Sequence, residues 1–148
     1  MKTVLASIIV ALCVGILPGV AQYTNTPVCA WTDAQSSPTI ALHPTNPNIQ
    51  MATFVSYDGS DIYPGYGFST DRGVTWSNGE IPYPKFPPSG YTNGVLDPSC
   101  VINRSGRYFY CYGAENASRW DVFVSYTDDK STWSTPGCLS LTEPHSLP

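Results

Sequence analysis

The stretch Ser69-Thr70-Asp71-Arg72-Gly73-Val74-Thr75-Trp76 has the composition of a tight turn between two β-strands. Strand-forming residues precede it at 66–69 and resume after it at 75–77. A short carboxylate such as that of Asp71 accepts hydrogen bonds from backbone N–H groups across a turn. Gly73 can adopt the left-handed backbone conformation that closes a tight hairpin. The stretch therefore predicts a β-hairpin corner rather than a helix.

Five positions of this stretch match the pattern S-x-D-x-G-x-T-W: Ser69, Asp71, Gly73, Thr75 and Trp76. This pattern is the Asp-box signature of the sialidase-like β-propellers, also called the BNR repeat. The chain resembles that family over most of its length. The resemblance implies one four-stranded antiparallel sheet, or blade, for each Asp box, and it does not specify a reaction.

The pattern begins again about sixty residues later, which is a spacing typical of propeller blades. Aligned on the tryptophan, a degenerate Asp box retains Asp128, Thr132 and Trp133, whereas Tyr126 replaces the serine and Lys130 the glycine. We therefore predict an all-β fold of two four-stranded antiparallel blades of a sialidase-like β-propeller. The propeller would be incomplete, because closing a ring takes four or more blades.

The predicted organisation follows from these two motifs. It comprises a signal peptide (1–21), a polar N-terminal segment (22–37), blade 1 with its Asp box (38–78), a connection rich in proline and aromatic residues (79–97), blade 2 with the degenerate Asp box (98–135), and a C-terminal tail (136–148). The tail is either a plain extension or the start of a truncated third blade. Two blades could also pack alone or assemble with copies of themselves.

The first residues have the features of a secretory signal. Lys2 supplies the positive end, residues 4–17 are an apolar run, and residues 19–21 are small. The run is short for a membrane span, which disfavours the alternative of a retained anchor. We therefore predict a secreted, extracellular protein that does not contact a membrane after signal cleavage.

The net charge of the chain limits the classes of binding partner that we expect. The chain has seven lysine and arginine residues against eleven aspartate and glutamate residues, a formal net charge of −4. An acidic, charge-poor surface argues against nucleic acid as a partner. A glycan or an extracellular protein is the expected ligand, and open sheet edges would favour self-association.

Four cysteines remain after signal cleavage, and an even number in a secreted chain predicts disulfides, with three possible connectivities. If the strands on either side of residues 104–106 pair symmetrically, Cys100 lies opposite Cys111, and Cys29 with Cys138 would join the two ends. Metal binding is disfavoured because no C-x-x-C spacing is present. We predict no metal and no cofactor.

Catalysis is not predicted from these residues. The resemblance to sialidases implies three arginines that bind the substrate carboxylate, a tyrosine nucleophile paired with a glutamate, and an acidic proton donor. None of the four arginines, Arg72, Arg104, Arg107 and Arg119, lies in the Arg-Ile-Pro-like context of the family. We therefore assign no catalytic residues. The alternatives are a carbohydrate- or protein-binding module, and part of an exo-sialidase-type glycoside hydrolase that missing blades complete.

Two N-x-S sequons are present, at Asn103 and Asn116. Asn103 falls on the predicted hairpin tip, where a glycan would be accommodated. Both are candidates for N-glycosylation if the source is eukaryotic, and chance matches if it is bacterial.

Overall fold

The structure is a computed structural model, and it describes residues 26–59, 61–81, 90–91, 93–116 and 118–139. The predicted signal peptide at 1–21 lies outside the described residues, as does the part of the predicted tail from 140 to 148. Within the part that is described, no helix has the length and apolar character needed to cross a membrane.

The described chain folds into two antiparallel four-stranded sheets, which confirms the predicted all-β class. Sheet 1 contains β1 (Gln35–His43), β2 (Asn46–Asp58), β3 (Asp61–Ser69) and β4 (Ser77–Glu80). Sheet 2 contains β5 (Asn93–Ile102), β6 (Tyr108–Asn116), β7 (Arg119–Thr127) and β8 (Gly137–Cys138). In each sheet the strands lie in chain order, because each strand pairs with the next through a hairpin or a short loop.

The strands extend beyond the segments that the hydrophobic pattern indicated. β1 begins at Gln35, inside the predicted polar segment; β5 begins at Asn93, inside the predicted connection; and β8 lies in the predicted tail. Backbone N–H and C=O groups form strand hydrogen bonds in every residue except proline, whatever the side chain. Polar residues can therefore extend a strand whose centre is apolar. Pro38 sits at a register shift between Ser36 and Thr39, where its missing N–H costs no ladder hydrogen bond.

The two sheets pack face to face around one core. Alternate residues of β6, from Tyr108 to Ala114, point towards sheet 1, as the two-residue period of a strand dictates. Met51, Val55 and Phe68 face them from sheet 1. The aromatic ring of Phe68 contacts that of Tyr108 edge-on, with centroids 4.7 Å apart. Burial of these side chains is the main force that holds the sheets together.

Buried polar groups also link the sheets. The Tyr110 hydroxyl donates to the Phe54 carbonyl at 3.0 Å, and Thr39 Oγ1 donates to the Pro98 carbonyl at 3.3 Å. Burial raises the pKa of the Tyr110 hydroxyl well above its usual value, so this group remains a donor at all ordinary pH values. A buried hydroxyl without such a partner would destabilise the fold, so these bonds fix how the sheets are placed.

A segment that precedes β1 covers the far side of sheet 1. Gly67 has no side chain, and a Cβ there would come within 2.4 Å of Val28 Cγ1. The ring of Trp31 contacts that of Phe54 edge-on at 5.8 Å, and Asn78 Nδ2 donates to the Val28 carbonyl at 3.1 Å. Residues of the same chain therefore cover part of the outer face of sheet 1, whereas Ile40 and Leu42 on β1 are about half exposed.

The predicted pairing of Cys100 with Cys111 is wrong. Cys100 pairs with Tyr110, and Cys111 pairs with Ser99, so the two sulfur atoms point to opposite faces of sheet 2. All four described cysteines, Cys29, Cys100, Cys111 and Cys138, are free thiols. The predicted Cys29–Cys138 bridge is therefore also absent from this structure.

The shift in register comes from the hairpin that joins β5 to β6. Asn103 N donates to the Arg107 carbonyl, and Gly106, with φ +87°, donates its N–H to the Asn103 carbonyl. This turn leaves three residues between Asn103 and Arg107, so Ile102 pairs with Tyr108. The prediction placed Tyr108 opposite the neighbouring residue, and that one-residue difference moves a side chain to the other face.

Candidate functional site

The first turn (residues 69–76) is held by the side chains of Ser69 and Asp71. Ser69 Oγ donates to Asp71 Oδ1 and accepts from the Gly73 N–H, both at 2.8 Å. Asp71 Oδ1 accepts from the Thr75 N–H at 2.9 Å, and Oδ2 accepts from Thr75 Oγ1 at 2.6 Å. The hydrogen bond from the Thr75 hydroxyl is the largest cause that lowers the pKa of Asp71. The Asp71 carboxylate therefore acts as the hydrogen-bond acceptor for N–H and O–H groups that have no backbone acceptor within the turn.

Two consecutive residues of the first turn have left-handed backbone: Arg72 (φ +64°) and Gly73 (φ +82°). The strain at Arg72 is offset by its contacts with the first turn's neighbour β2, where its N–H donates to the Asn48 carbonyl and its Nε to Asn48 Oδ1. Trp76 Nε1 donates to the Gly73 carbonyl at 3.1 Å. These hydrogen bonds stabilise the closed conformation of the turn.

The second turn (residues 126–133) repeats this scheme with different residues. Asp129 Oδ1 accepts from the N–H groups of Ser131 and Thr132, at 2.9 and 2.6 Å, and from Thr127 Oγ1 at 3.0 Å. Thr127 Oγ1 in turn accepts from the Lys130 N–H at 2.9 Å. Thr127 and Asp129 therefore do in the second turn what a serine and an aspartate do in the first.

The assignment of Asp128 to the degenerate Asp box is wrong. Asp128 instead accepts two hydrogen bonds from the Arg107 guanidinium, both at 2.8 Å. The second turn has one residue fewer between its carboxylate and the threonine that precedes the tryptophan, and it has a single left-handed residue, Lys130, with φ +67°. Alignment on Trp133 therefore placed the aspartate one position too early.

The two tryptophans lie on the same side of their own sheets but meet different neighbours. Trp133 packs between the sheets, against Tyr66 of β3 and Tyr110 of β6, with centroids 5.1 and 6.2 Å away. Trp76 packs over Gly67 on the outer face of sheet 1, next to Val28. Trp133 is therefore a core residue that joins the sheets, whereas Trp76 is covered by the segment before β1.

A groove of about 440 Å³ lies between the two turns. Hydroxyl groups line it from both sheets, those of Thr70, Thr75, Ser77 and Ser131. Lys130 contributes an ammonium group and Asp129 a carboxylate, whereas the Phe68 ring beside them is buried in the core. The backbone N–H of Thr132 is the largest cause that holds the pKa of Asp129 far below its usual range, so this carboxylate stays ionised. Hydroxyl and charged groups together suit a polar ligand such as a sugar.

A second cluster, which sequence reasoning missed, joins residue 91 to β7. The Tyr91 hydroxyl donates to Asp121 Oδ2, Arg119 Nη2 donates to the Tyr91 oxygen at 3.2 Å, and Arg119 Nε lies 2.6 Å from Asp121 Oδ2. The ring of Tyr91 also contacts that of Phe123 edge-on at 4.8 Å. The two-residue spacing of Arg119 and Asp121 on a strand could have indicated the pair, because such residues share a face. Nothing local indicated Tyr91.

The Tyr91 hydroxyl donates to the carboxylate of Asp121, and this hydrogen bond is the largest cause that raises the pKa of the tyrosine hydroxyl. The arginines of sheet 2 do not converge on the cluster, since Arg107 and Arg119 lie at opposite ends of that sheet. The geometry supports a structural contact between residue 91 and the sheet.

Both sequon asparagines use their side-chain oxygens to hold turns. Asn103 Oδ1 accepts from Ser105 Oγ and from the Arg107 N–H, at 2.8 and 2.9 Å. Asn116 Oδ1 accepts from Ser118 Oγ at 2.9 Å and from the Ser118 N–H at 3.0 Å. A glycan attached through Nδ2 would leave both of these acceptors in place.

Among the described residues, no group of three or more histidine, cysteine, aspartate or glutamate side chains could hold a metal ion. A scan of the chain against models of protein families found no match, and a search of curated proteins found none either.

Proposed function

We propose that this protein is a secreted Asp-box repeat protein, similar to the sialidase-like propellers, that binds carbohydrate and does not hydrolyse it. Its two sheets would be successive blades of an incomplete propeller. The similar hydrogen bonding of the two turns supports this proposal. In each turn a serine or threonine hydroxyl and an aspartate carboxylate hold the chain reversal. The apolar run at 4–17 supports secretion and an extracellular location.

The groove between the two turns is the observation that carries the proposed function. The hydroxyls of Thr70, Ser77 and Ser131 can both donate and accept hydrogen bonds, as sugar hydroxyls do, whereas the Thr75 hydroxyl donates to Asp71 and can only accept. Its volume, about 440 Å³, lies within the usual range of small-ligand sites. Lys130 adds a cation that would favour an acidic sugar. An extracellular protein is the alternative ligand of the same groove.

Binding is favoured over hydrolysis by the chemistry of the groove. Glycoside hydrolysis ordinarily uses two carboxyl groups on either side of the bond that breaks. Asp129 is the single carboxylate among the described residues that line the groove, and its Oδ1 already accepts three hydrogen bonds. The second candidate function is part of an exo-sialidase-type hydrolase that further blades complete. The tyrosine, carboxylate and arginine around Asp121 are the residue types that favour this alternative.

A glycan-binding experiment tests the proposal. We would measure binding of sialylated and neutral oligosaccharides to the mature protein by calorimetry. Lys130→Asn removes the cation and keeps a residue that tolerates positive φ, so it should weaken binding of acidic sugars at least several-fold. Arg104→Gln is the matched control, since Arg104 is an exposed cation outside the groove and its loss should leave binding unchanged.

An activity assay separates the two candidate functions. With a fluorogenic sialoside, the binding proposal expects no turnover by the mature protein. Turnover that Tyr91→Phe abolishes would support the hydrolase instead. Failure to bind any oligosaccharide would contradict the proposed function.

A further inference from the structure

A second space, of about 310 Å³, lies on the other side of the second turn from the groove. Tyr126, which lines it, points to the outer face of sheet 2, because the next residue along the strand, Thr127, points inward. The groove, by contrast, faces the first turn. We call this second space the outer hollow. Its lining residues are Tyr126, Asp128, Asp129, Thr132, Trp133 and Ser134.

The outer hollow and the groove meet at Asp129, which lines both of them. Lys130 and Ser131, the next two residues, line the groove, and Thr132 lines the outer hollow. The two spaces are therefore separated by the width of one turn. A glycan that is longer than one sugar and enters the groove can extend across this turn into the outer hollow.

Tyr126 supplies an aromatic surface to the outer hollow. It remains 38% exposed, although the Arg107 guanidinium lies 4.1 Å from the centre of its ring. A tyrosine presents an apolar ring and a polar tip, so it can pack on the C–H groups of a sugar and also hydrogen-bond to a sugar hydroxyl. The groove lacks such a surface, because the Phe68 ring beside it is buried in the core.

Asp128 places a fixed carboxylate beside this ring. Its two oxygens accept from the Arg107 guanidinium, both at 2.8 Å, and Arg107 is itself stacked on Tyr126. The Asp128 side chain is 61% exposed, and each carboxylate oxygen can accept more than one hydrogen bond. The carboxylate can therefore accept from a sugar hydroxyl while it keeps its ion pair. Because its orientation is already fixed, little conformational entropy is lost on binding.

Two further hydroxyl groups lie in the outer hollow. Ser134 Oγ accepts from the Tyr126 N–H at 2.9 Å, so its own O–H can donate to a ligand. The Thr132 hydroxyl donates to the Asp129 carboxylate, so its oxygen can accept. The outer hollow therefore offers both donors and acceptors, which the hydroxyl groups of a sugar require.

The charges in the two spaces favour different sugars. In the outer hollow, Asp128 is paired with Arg107, and Asp129 Oδ1 accepts from N–H groups of its own turn. An acidic sugar placed there would meet two carboxylates and no unpaired cation among the lining residues. The Lys130 ammonium lines the groove instead. An acidic unit therefore suits the groove, and an uncharged unit suits the outer hollow.

We propose that the outer hollow is a second sugar subsite, so that the protein binds an oligosaccharide whose acidic unit occupies the groove and whose adjoining neutral unit packs on Tyr126. This inference rests on the proposed function, because it extends the carbohydrate site of the groove. Tyr126 and Asp128 then determine the preference for a glycan of two or more units over a single acidic sugar.

Calorimetry with two probes tests the proposal. One probe is the methyl glycoside of N-acetylneuraminic acid, a single acidic sugar, and the other is sialyllactose, in which the same sugar is linked to neutral ones. The wild type should bind sialyllactose about tenfold more tightly than the methyl glycoside. Tyr126→Ala and Asp128→Asn should each remove most of this difference and leave the affinity for the methyl glycoside unchanged. Lys130→Asn should weaken the binding of both probes.

Val122→Ala is the matched control, because Val122 is 43% exposed on the same strand and the same face as Tyr126 but does not line the outer hollow. This variant should keep the preference for sialyllactose. Radical footprinting of the unmodified protein makes the test independent of how the variants fold. Sialyllactose should reduce the oxidation of Tyr126, whereas the methyl glycoside should not.

The outcomes separate this inference from the proposed function. Equal affinities for the two probes would overturn the second subsite and leave the carbohydrate site of the groove standing. A preference for sialyllactose that Tyr126→Ala and Asp128→Asn both leave intact would do the same. If neither probe binds, the inference is overturned, and the wider oligosaccharide panel then decides the proposed function.

Discussion

The indole of Trp133 lies against the ring of Tyr66, with centroids 5.1 Å apart, although the two residues belong to different sheets. Trp133 is the last residue of the second turn and is 1% exposed. The second turn therefore reverses the chain and also places Trp133, the largest side chain of the core, at the interface between the sheets.

Trp133→Ala should be strongly destabilising. Removal of a fully buried tryptophan leaves a cavity between the sheets, and we expect a loss of about 3–5 kcal/mol in the free energy of unfolding. Urea unfolding at low protein concentration measures it. Trp120→Ala is the control, since half of that side chain is exposed, and it should cost less than about 1 kcal/mol. Similar losses in the two variants would contradict the central position of Trp133.

The two adjacent aspartates of the second turn should differ in their effect on stability. Asp129→Ala removes the acceptor for two backbone N–H groups and should clearly lower the melting temperature. Asp128→Ala removes an exposed ion pair with Arg107 and should change it little. Thermal melts followed by circular dichroism compare them. If Asp128→Ala lowered the melting temperature more than Asp129→Ala, then Asp128 would be the aspartate of the second turn, as alignment on Trp133 predicted.

Acid should destabilise the protein partly through Asp129. The pKa of this carboxyl is lowered in the folded state, chiefly by the Thr132 N–H, from a usual value of 3.8. The unfolded chain therefore takes up the proton first as the pH falls, so the contribution of Asp129 to stability is present above about pH 4 and is lost below it. Asp129→Asn should flatten the fall in melting temperature between about pH 4 and pH 2. Parallel curves for variant and wild type would exclude this role.

The free cysteines should differ in reactivity. Burial raises the pKa of the Cys100 thiol, whose sulfur also lies 3.5 Å from the Met51 carbonyl, so this cysteine should be alkylated slowly. Cys138 is exposed and should react first. Peptide mass spectrometry after brief treatment with iodoacetamide, without reductant, measures the order. If the denatured, unreduced protein takes up no reagent, the cysteines are paired and the free-thiol arrangement is incorrect.

Local chemistry explains which parts of the site could be predicted. Asp71 and Gly73 were recognisable because the hydrogen bonds that these two residues make join positions at most four residues apart. The second turn has one residue fewer, and a fixed spacing cannot show where a residue has been lost. Only the hydrogen bonds identify Asp129 in place of Asp128.

The cysteine pairing failed for a related reason. Which residue of β5 faces Cys111 depends on how the hairpin at Asn103 closes, and a change of one residue exchanges the faces of the strand. Composition and spacing do not determine that closure. The contact between Tyr91 and Asp121 likewise joins residues 30 positions apart, which no local pattern indicates.

The sequence by itself determined that the chain is all-β and that two tryptophan-ended turns repeat along it, because strand alternation and turn chemistry depend on neighbouring residues. The tertiary structure alone decided that Trp133 is buried between the sheets and that the groove lies between the two turns. It also decided that the outer face of sheet 2 is exposed. These properties depend on which sheet covers which face, and that is set by packing between residues far apart in the chain.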